Sequence, residues 1–195
     1  MEKVWILGGM RSFIGVKDRM YRNVPAEVLG AEVLRAVIEK YQLAECDIDF
    51  IIGGNAVGGG GNMTRLAALT AGLEQEIPAV SLDLQCGSAL EAVTQAAAKI
   101  ESGLADLVLA GGMESSSTQP LRMWNPNHPN YEKDKVWTVA QFIPGQQGEQ
   151  VMLEGAERTA ISEYVTKEEQ DFWVMESHHR AARTVQKGLL SDIQV

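Results

Sequence analysis

The sequence predicts an α/β fold, because short apolar runs alternate with longer stretches of helical periodicity over its first 115 residues. The runs of strand length are Val4–Leu7, Phe50–Ile52, Ala79–Leu84 and Leu107–Ala110. The stretches with helical spacing are Ala26–Tyr41, Met63–Leu73 and Cys86–Gly103. Strands that are apolar at consecutive positions are typical of a sheet covered on both faces. We therefore predict a mixed, mostly parallel sheet with helices on both faces.

The stretch that starts at Cys86 predicts an unusually apolar helix. Its only charged residue up to Ala98 is Glu91, and large apolar residues such as Leu90 and Val93 recur at helical spacing. A helix that is apolar on most of its circumference is normally buried between layers. Four strands and three helices cannot bury it from all sides, so we expect another domain or another chain to cover it.

The composition changes beyond Gly112. Residues 114–150 are polar and rich in Asn, Gln, Pro and Ser, which predicts an excursion with little regular structure. Helical spacing returns at Met152–Glu163. The last residues, 189–195, are typical of the opening of a strand.

A capping box predicts the start of the last helix. Thr166 has the side chain of an N-cap residue, and Glu169 stands at the third helical position. We expect this helix to run to about Lys187 and to end at Gly188, because glycine accepts the left-handed conformation that follows a helix.

The overall composition restricts the class of protein. The 195 residues, 45% of them hydrophobic, can bury one sizeable core with a smaller appended unit. The net charge of −9 argues against a general nucleic-acid binder. No apolar run has the length of a signal peptide or a membrane span. Two cysteines, Cys46 and Cys86, form neither a disulfide framework nor a metal-type spacing, so we expect no metal and a reducing, cytoplasmic location.

Cys86 is the candidate catalytic nucleophile. An apolar strand is predicted before it, and the small residues Gly87 and Ser88 follow it at the start of a helix. Unpaired backbone N–H groups and the positive end of the helix dipole would favour the thiolate there. A thiolate at a helix N-terminus is a nucleophile that needs no metal. The alternative is an inert, buried thiol.

A basic patch is the candidate site for an anionic ligand, since the net charge would repel such a ligand elsewhere. Arg180, Arg183 and Lys187 lie on one predicted helix. Further candidates are Arg122, Lys133 and Lys135. The alternative is an ordinary solvated face.

Five segments, in order along almost the whole chain, resemble the N-terminal half of a thiolase, a member of the acyl-CoA acyltransferase family. They begin at Arg11, Gly54, Gln85, Ala110 and Glu168. The segment from Gln85 resembles the nucleophile motif, with Ala89 in place of the usual Gly. The segment from Ala110 matches the family's Ala-Gly-Gly-Met-Glu-Ser. The ketoacyl synthases share the fold and a nucleophilic Cys, but this last segment favours a thiolase.

The resemblance implies a division of the chain. Residues 1–115 would form the N-terminal α/β core, 116–188 an inserted loop domain, and 189–195 the start of a returning strand at which the half is truncated. In the family, the Cys helices of two similar halves pack at the centre of a five-layered sandwich. This arrangement would cover the apolar helix that follows Cys86.

The resemblance also implies a reaction and its participants. Cys86 would accept an acyl group from acyl-CoA, for thiolytic cleavage by free CoA or for a Claisen condensation. The coenzyme A thioester would be the substrate, with no further cofactor. Met152, where many thiolases carry His-Met-Gly, would lie beside the acyl or pantetheine arm, or else fill core space. The implied protein partners are further copies in a dimer or tetramer, meeting at the sheet edge near Ala79–Gln85, or a complementary C-terminal half.

The acid–base groups of the family are missing from this sequence. They come from the second half of a thiolase, as a Gly-His-Pro histidine and a second Cys in a Cys-x-Gly motif, and neither occurs here. We therefore expect turnover to need a C-terminal half. The alternative is a non-catalytic, truncated domain that binds acyl-CoA or self-associates.

Overall fold

The computed structural model describes residues 3–145, 148 and 150–195. The predicted core (1–115) and loop domain (116–188) also include five residues outside the described part: Met1, Glu2, Gln146, Gln147 and Glu149. The chain forms two compact units, of which the first runs to Leu121 and also includes Val195, and the second comprises Arg122–Gln194. The division at residues 115 and 188 stays a prediction.

The first unit contains a parallel three-stranded sheet. Its strands are β1 (Phe50–Gly54), β2 (Ala79–Leu82) and β3 (Val108–Gly112), in the order β2-β1-β3. β1 is central and parallel to both neighbours. Three of the four predicted strands are therefore confirmed, and so is the α/β class.

Helices cover both faces of this sheet. They are α1 (Ala26–Tyr41), α2 (Met63–Thr70) and α3 (Ser88–Glu101), and a 3₁₀ turn spans Glu45–Asp47. Successive residues of a strand point to opposite faces. Accordingly Ile51 of β1 packs in a core with residues of α1 and α2, and Ile52 packs with Ala92 and Ala96 of α3. The sheet therefore forms the middle of three layers.

The predicted strand Val4–Leu7 is wrong for this chain. The segment forms no strand, and its large side chains are exposed. A strand needs a neighbour that accepts and donates its backbone hydrogen bonds, and no strand of the described residues pairs with this segment. The segment instead passes close to α1, where the Gly9 N–H donates to the hydroxyl of Tyr41 at 3.2 Å.

Helix α2 ends three residues earlier than the predicted Leu73. Gly72 follows it with a φ of 83°, the left-handed conformation that stops a helix. Arg35 of α1 also caps its last turn, donating from Nη2 to the Thr70 carbonyl at 2.6 Å and from Nε to the Ala71 carbonyl at 3.1 Å. The helix ends where a neighbouring side chain satisfies its free carbonyl groups.

The second unit contains the helices α4 (Val151–Ser162) and α5 (Lys167–Gln186). The predicted capping box is confirmed: Thr166 Oγ1 accepts from the Glu169 N–H, and Glu169 accepts from the Thr166 N–H. This second bond lowers the pKa of the Glu169 carboxyl. Gly188 follows α5 with a φ of 64°, as predicted.

The predicted returning strand is reduced to a short contact. The Val195 N–H donates to the Arg11 carbonyl at 3.0 Å, within the first unit. Residues 187–193 before it form turns.

Asp49 joins β1 to the chain that enters β3. Its hydrogen bonds there predict that the stability of the fold decreases at acidic pH. Its Oδ2 accepts from the N–H groups of Asp106 (2.6 Å) and Leu107 (3.1 Å), and these bonds lower the pKa of the carboxyl. Because the pKa is lower in the folded state, the carboxylate stabilises the fold when the pH is above the ordinary pKa of Asp. This stability is lost as the pH falls through the pKa of the folded state.

We expect Asp49→Asn to lower the free energy of unfolding by about 1 kcal/mol at pH 7, a modest value because the carboxylate is exposed. The difference from wild type should shrink as the pH falls below about 4. Urea unfolding at several pH values measures it. Asp106→Asn is the control, since it removes the same charge but keeps the backbone donor. A deficit that does not change with pH would contradict this account.

Candidate active site

Cys86 lies in the connection between β2 and α3. The strand ends at Leu82 and the helix begins at Ser88, so the cysteine stands two residues before the first helical residue. The predicted helix start at Cys86 was two residues early, because Gly87 serves as the N-cap. The cysteine is exposed. The alternative of a buried thiol is therefore wrong for this chain.

Hydrogen bonds on either side of Cys86 determine the shape of this connection. Ser88 Oγ accepts from the Leu84 N–H at 2.8 Å and donates to the Gln85 carbonyl at 2.6 Å. Gln85 has a φ of 51°, in the left-handed region that non-glycine residues rarely adopt, and its N–H donates to Asp83 Oδ1 at 2.9 Å. These bonds therefore define the backbone of the turn that contains the cysteine.

The N–H of Cys86 is unpaired within the described part of the chain. In the part of the chain that the structure describes, no group accepts a hydrogen bond from it, whereas the N–H groups of Gly87 and Ser88 donate to Leu84 and Gln85. An unpaired N–H beside a nucleophile is the type of donor that stabilises a developing oxyanion.

Two glycines let the sheet approach the start of α3 closely. A Cβ on Gly54, the last residue of β1, would lie 2.6 Å from the N atom of Ala89. A Cβ on Gly112, the last residue of β3, would lie 2.9 Å from the Cβ of Ala89. Neither glycine has a positive φ, so it is the close packing, and not the backbone conformation, that requires glycine at both positions. The carboxyl ends of β1 and β3 thus support the helix that follows Cys86.

A carboxylate and an amide connect the loops at this edge of the sheet. Glu114 Oε2 accepts from the N–H groups of Ala56 (2.8 Å) and Val57 (3.1 Å), and its Oε1 accepts from Asn55 Nδ2 at 2.9 Å. Neither Asn55 nor Glu114 is among the site residues predicted from the sequence. A usable signal was present, since Asn55 and Glu114 follow parallel strands whose carboxyl ends meet at one edge.

The other predicted site residues lie in the second unit. Met152 is exposed on α4. Arg180 and Arg183 are one turn apart on α5, so the helix brings these two together. Arg180 Nε donates to Glu176 Oε1 at 2.6 Å, which lowers the pKa of that carboxyl. Its guanidinium also lies 5.9 Å from the ring of Trp173.

The further basic candidates have neighbours of their own. Lys135 pairs with Glu132 at 2.5 Å, and Arg122 lies 5.7 Å from the ring of Trp137.

Over the described residues, no group of three His, Cys, Asp or Glu side chains could hold a metal ion. No helix there is both long and apolar enough to cross a membrane.

Comparison with known proteins decides the family. The family model for the thiolase N-terminal domain matches residues 4–194. The chain belongs to the thiolase family. It is 35% identical over 193 residues to the putative acetyl-CoA C-acetyltransferase VraB of Staphylococcus aureus strain MRSA252, covering 98% of this chain and 50% of that protein. The VraB of Staphylococcus epidermidis is 32% identical, with the same coverage of both chains.

A solved thiolase-like structure has the same fold. The crystal structure of the Bacillus anthracis acetyl-CoA acetyltransferase superposes with a TM-score of 0.86 at 26% sequence identity, covering 96% of this chain and 48% of that one. The resemblance to a thiolase N-terminal half is therefore confirmed. The chain spans about half the length of the curated relatives it matches.

Proposed function

We propose that this thiolase N-terminal domain accepts an acyl group from acyl-CoA on Cys86. The observation that carries the proposal is the exposed thiol in the turn between β2 and α3, next to an unpaired backbone N–H. The backbone of this turn is held by Ser88, which accepts from the Leu84 N–H and donates to the Gln85 carbonyl. A positioned nucleophile beside a hydrogen-bond donor is the arrangement that acyl transfer requires.

The proposed half-reaction exchanges one thioester for another. The Cys86 thiolate attacks the carbonyl carbon of acyl-CoA, and the carbonyl oxygen carries the negative charge towards the Cys86 N–H. The carbon–sulfur bond to CoA then breaks, and CoA leaves as a thiolate that takes up a proton from solvent. The acyl group passes afterwards to free CoA, or to the α-carbon of an acetyl-CoA that has lost a proton.

Turnover is proposed to need a complementary C-terminal half, with Cys86 as the only catalytic group of this chain. Support comes from the half-length match and from α3, where Leu90 is 73% exposed although the helix is apolar. Further copies of the chain, as a dimer or tetramer, are part of the same proposal. An acyl-CoA-dependent role would suit the reducing cytoplasm, where two free cysteines persist.

The coenzyme contacts are proposed for the second unit. Met152 would pack beside the acyl or pantetheine arm, and Arg180 and Arg183 would meet the phosphate groups. The exposure of all three side chains supports this role. The thioester is the substrate in this proposal, and no further cofactor is needed.

Mass spectrometry of the intact chain tests the proposal. We expect acetyl-CoA to add one acetyl group to the wild-type chain and to Cys46→Ser, and none to Cys86→Ser. Cys46 is the matched control because it is also a free, exposed cysteine. The chain is measured alone and mixed with the remaining half of the staphylococcal relative.

Three outcomes are distinguished. Acetylation of Cys86 followed by thiolysis of acetoacetyl-CoA in the mixture supports the full proposal. Acetylation without thiolysis supports the alternative, a truncated domain without turnover. A folded chain with an unmodified Cys86 and no acetyl adduct in either sample would contradict the acyl-accepting role.

A further inference from the structure

We propose that Glu114 is a positioning residue for Cys86, acting through the loop that follows β1. The inference rests on the proposed acyl-accepting role of Cys86. Glu114 stands two residues after β3, and its carboxylate accepts three hydrogen bonds from the loop at Asn55–Val57. Hydrogen bonds to a carboxylate are stronger than those between neutral groups.

Asn55 extends this connection to the strand that leads to Cys86. Its Nδ2 donates to the Met113 carbonyl at 2.9 Å as well as to Glu114, and its Oδ1 accepts from the Gly58 N–H at 3.1 Å. Its backbone N–H donates to the carbonyl of Leu82 at 3.0 Å. Leu82 is the last residue of β2 and lies four positions before Cys86. Glu114 and Asn55 thereby join the carboxyl ends of all three strands.

The last residue of β1, directly before this loop, contacts the chain that follows Cys86. Gly54, next to Asn55, lies against the first turn of α3, where an added Cβ would come within 2.6 Å of Ser88 and Ala89 backbone atoms. The end of β1 and the loop after it therefore touch the chain on both sides of the cysteine: Asn55 contacts Leu82 before it, and Gly54 contacts Ala89 after it. A shift of this loop would move the sulfur relative to a bound thioester.

Glu114→Gln tests the carboxylate with almost no change in volume. A glutamine has one acceptor oxygen and one N–H₂ group, so it cannot accept from Asn55 and from Ala56 and Val57 at once. Its N–H₂ group would then face either the Nδ2 group of Asn55 or the N–H groups of Ala56 and Val57, and these are also donors. Because a misplacement of about 1 Å can cost 100-fold in rate, we expect acetylation of Cys86 by acetyl-CoA to fall about 10- to 100-fold.

A double variant provides the rescue. Asn55→Asp alone sets two carboxylates against each other and should also slow acetylation. Combined with Glu114→Gln, the new carboxylate can accept from the new amide N–H₂, while the amide oxygen accepts from Ala56 and Val57. We expect the double variant to be acetylated faster than Asn55→Asp but more slowly than wild type, because residue 55 can no longer donate to the Met113 carbonyl. Glu101→Gln, an exposed residue at the far end of α3, is the control for loss of one negative charge.

Two reactions of the same cysteine separate positioning from general instability. Each variant is treated with acetyl-CoA and, separately, with iodoacetamide, a small electrophile that needs no defined orientation. A positioning role predicts a large loss of acetylation in Glu114→Gln, little change in alkylation, and faster acetylation of the double variant than of Asn55→Asp. Acetylation of Glu114→Gln at the wild-type rate, equal losses in both reactions, or a double variant no faster than Asn55→Asp would each overturn the inference.

Failure of the underlying proposal has a different result. If the wild-type chain gains no acetyl group while iodoacetamide still alkylates Cys86, the acyl-accepting role is wrong and this inference falls with it. If wild type is acetylated and the Glu114 variants match it, the role of Cys86 stands and only the role of Glu114 is overturned.

Discussion

Replacing Gly54 with alanine is expected to displace the first turn of α3 and to move Cys86 away from its working position. The new Cβ would lie 2.6 Å from both the N atom of Ala89 and the carbonyl carbon of Ser88. These are backbone atoms, so no side-chain rotation relieves the overlap. Overpacking of this kind costs about 1–3 kcal/mol. We also expect the rate of Cys86 acetylation to fall about 100-fold.

A second glycine of the same sheet provides the control for Gly54→Ala. Gly111 lies in β3, and a Cβ added there would meet no atom within 4 Å. Gly111→Ala should therefore leave both the free energy of unfolding and the acetylation rate close to wild type. Urea unfolding and mass spectrometry measure the two quantities. If Gly54→Ala behaves like Gly111→Ala, the close contact between β1 and α3 is not a constraint.

Leu90→Glu is expected to weaken association with a complementary half while leaving the isolated chain folded. Leu90 is 73% exposed on α3, whereas Ala92 and Ala96 of the same helix are buried against the sheet. A charge on the exposed side costs little in the isolated chain. In a complex that covers the helix, an unpaired carboxylate would be buried, which we expect to weaken binding by about 100-fold or more.

Calorimetric titration with the remaining half of the staphylococcal relative measures this effect. Leu66→Glu is the matched control, because Leu66 is partly exposed on α2, which packs on the opposite face of the sheet from α3. The control should bind like wild type. Equal binding of Leu90→Glu and wild type would show that α3 is not the covered surface.

Prediction from the sequence succeeded where local signals were complete. α1 has the predicted bounds, since its apolar spacing is regular from Ala26 to Tyr41. The capping box at Thr166 depends on only four neighbouring residues, and it is present. Prediction failed for Val4–Leu7, because an apolar run forms a strand only beside a partner strand, and no local signal specifies that partner.

At the candidate site, too, the local features could be predicted from the sequence and the distant contacts could not. Cys86 could be selected from the sequence, because an apolar strand, a cysteine and a small-residue helix start stand in one short segment. Its surroundings could not, since Asn55 and Glu114 are separated by 58 other residues and meet only through the parallel pairing of β1 with β3. Pairing between distant segments is a property of the folded sheet.

The sequence by itself determined the fold class, the approximate positions of the helices and the identity of the candidate nucleophile, because periodicity, capping and motif chemistry are local. Only the tertiary structure decided that Cys86 is exposed before the helix, that Gly54 and Gly112 pack against Ala89, and that Glu114 connects the loops around them. The physical reason is that hydrogen bonds and close contacts between distant strands exist only once the sheet has formed.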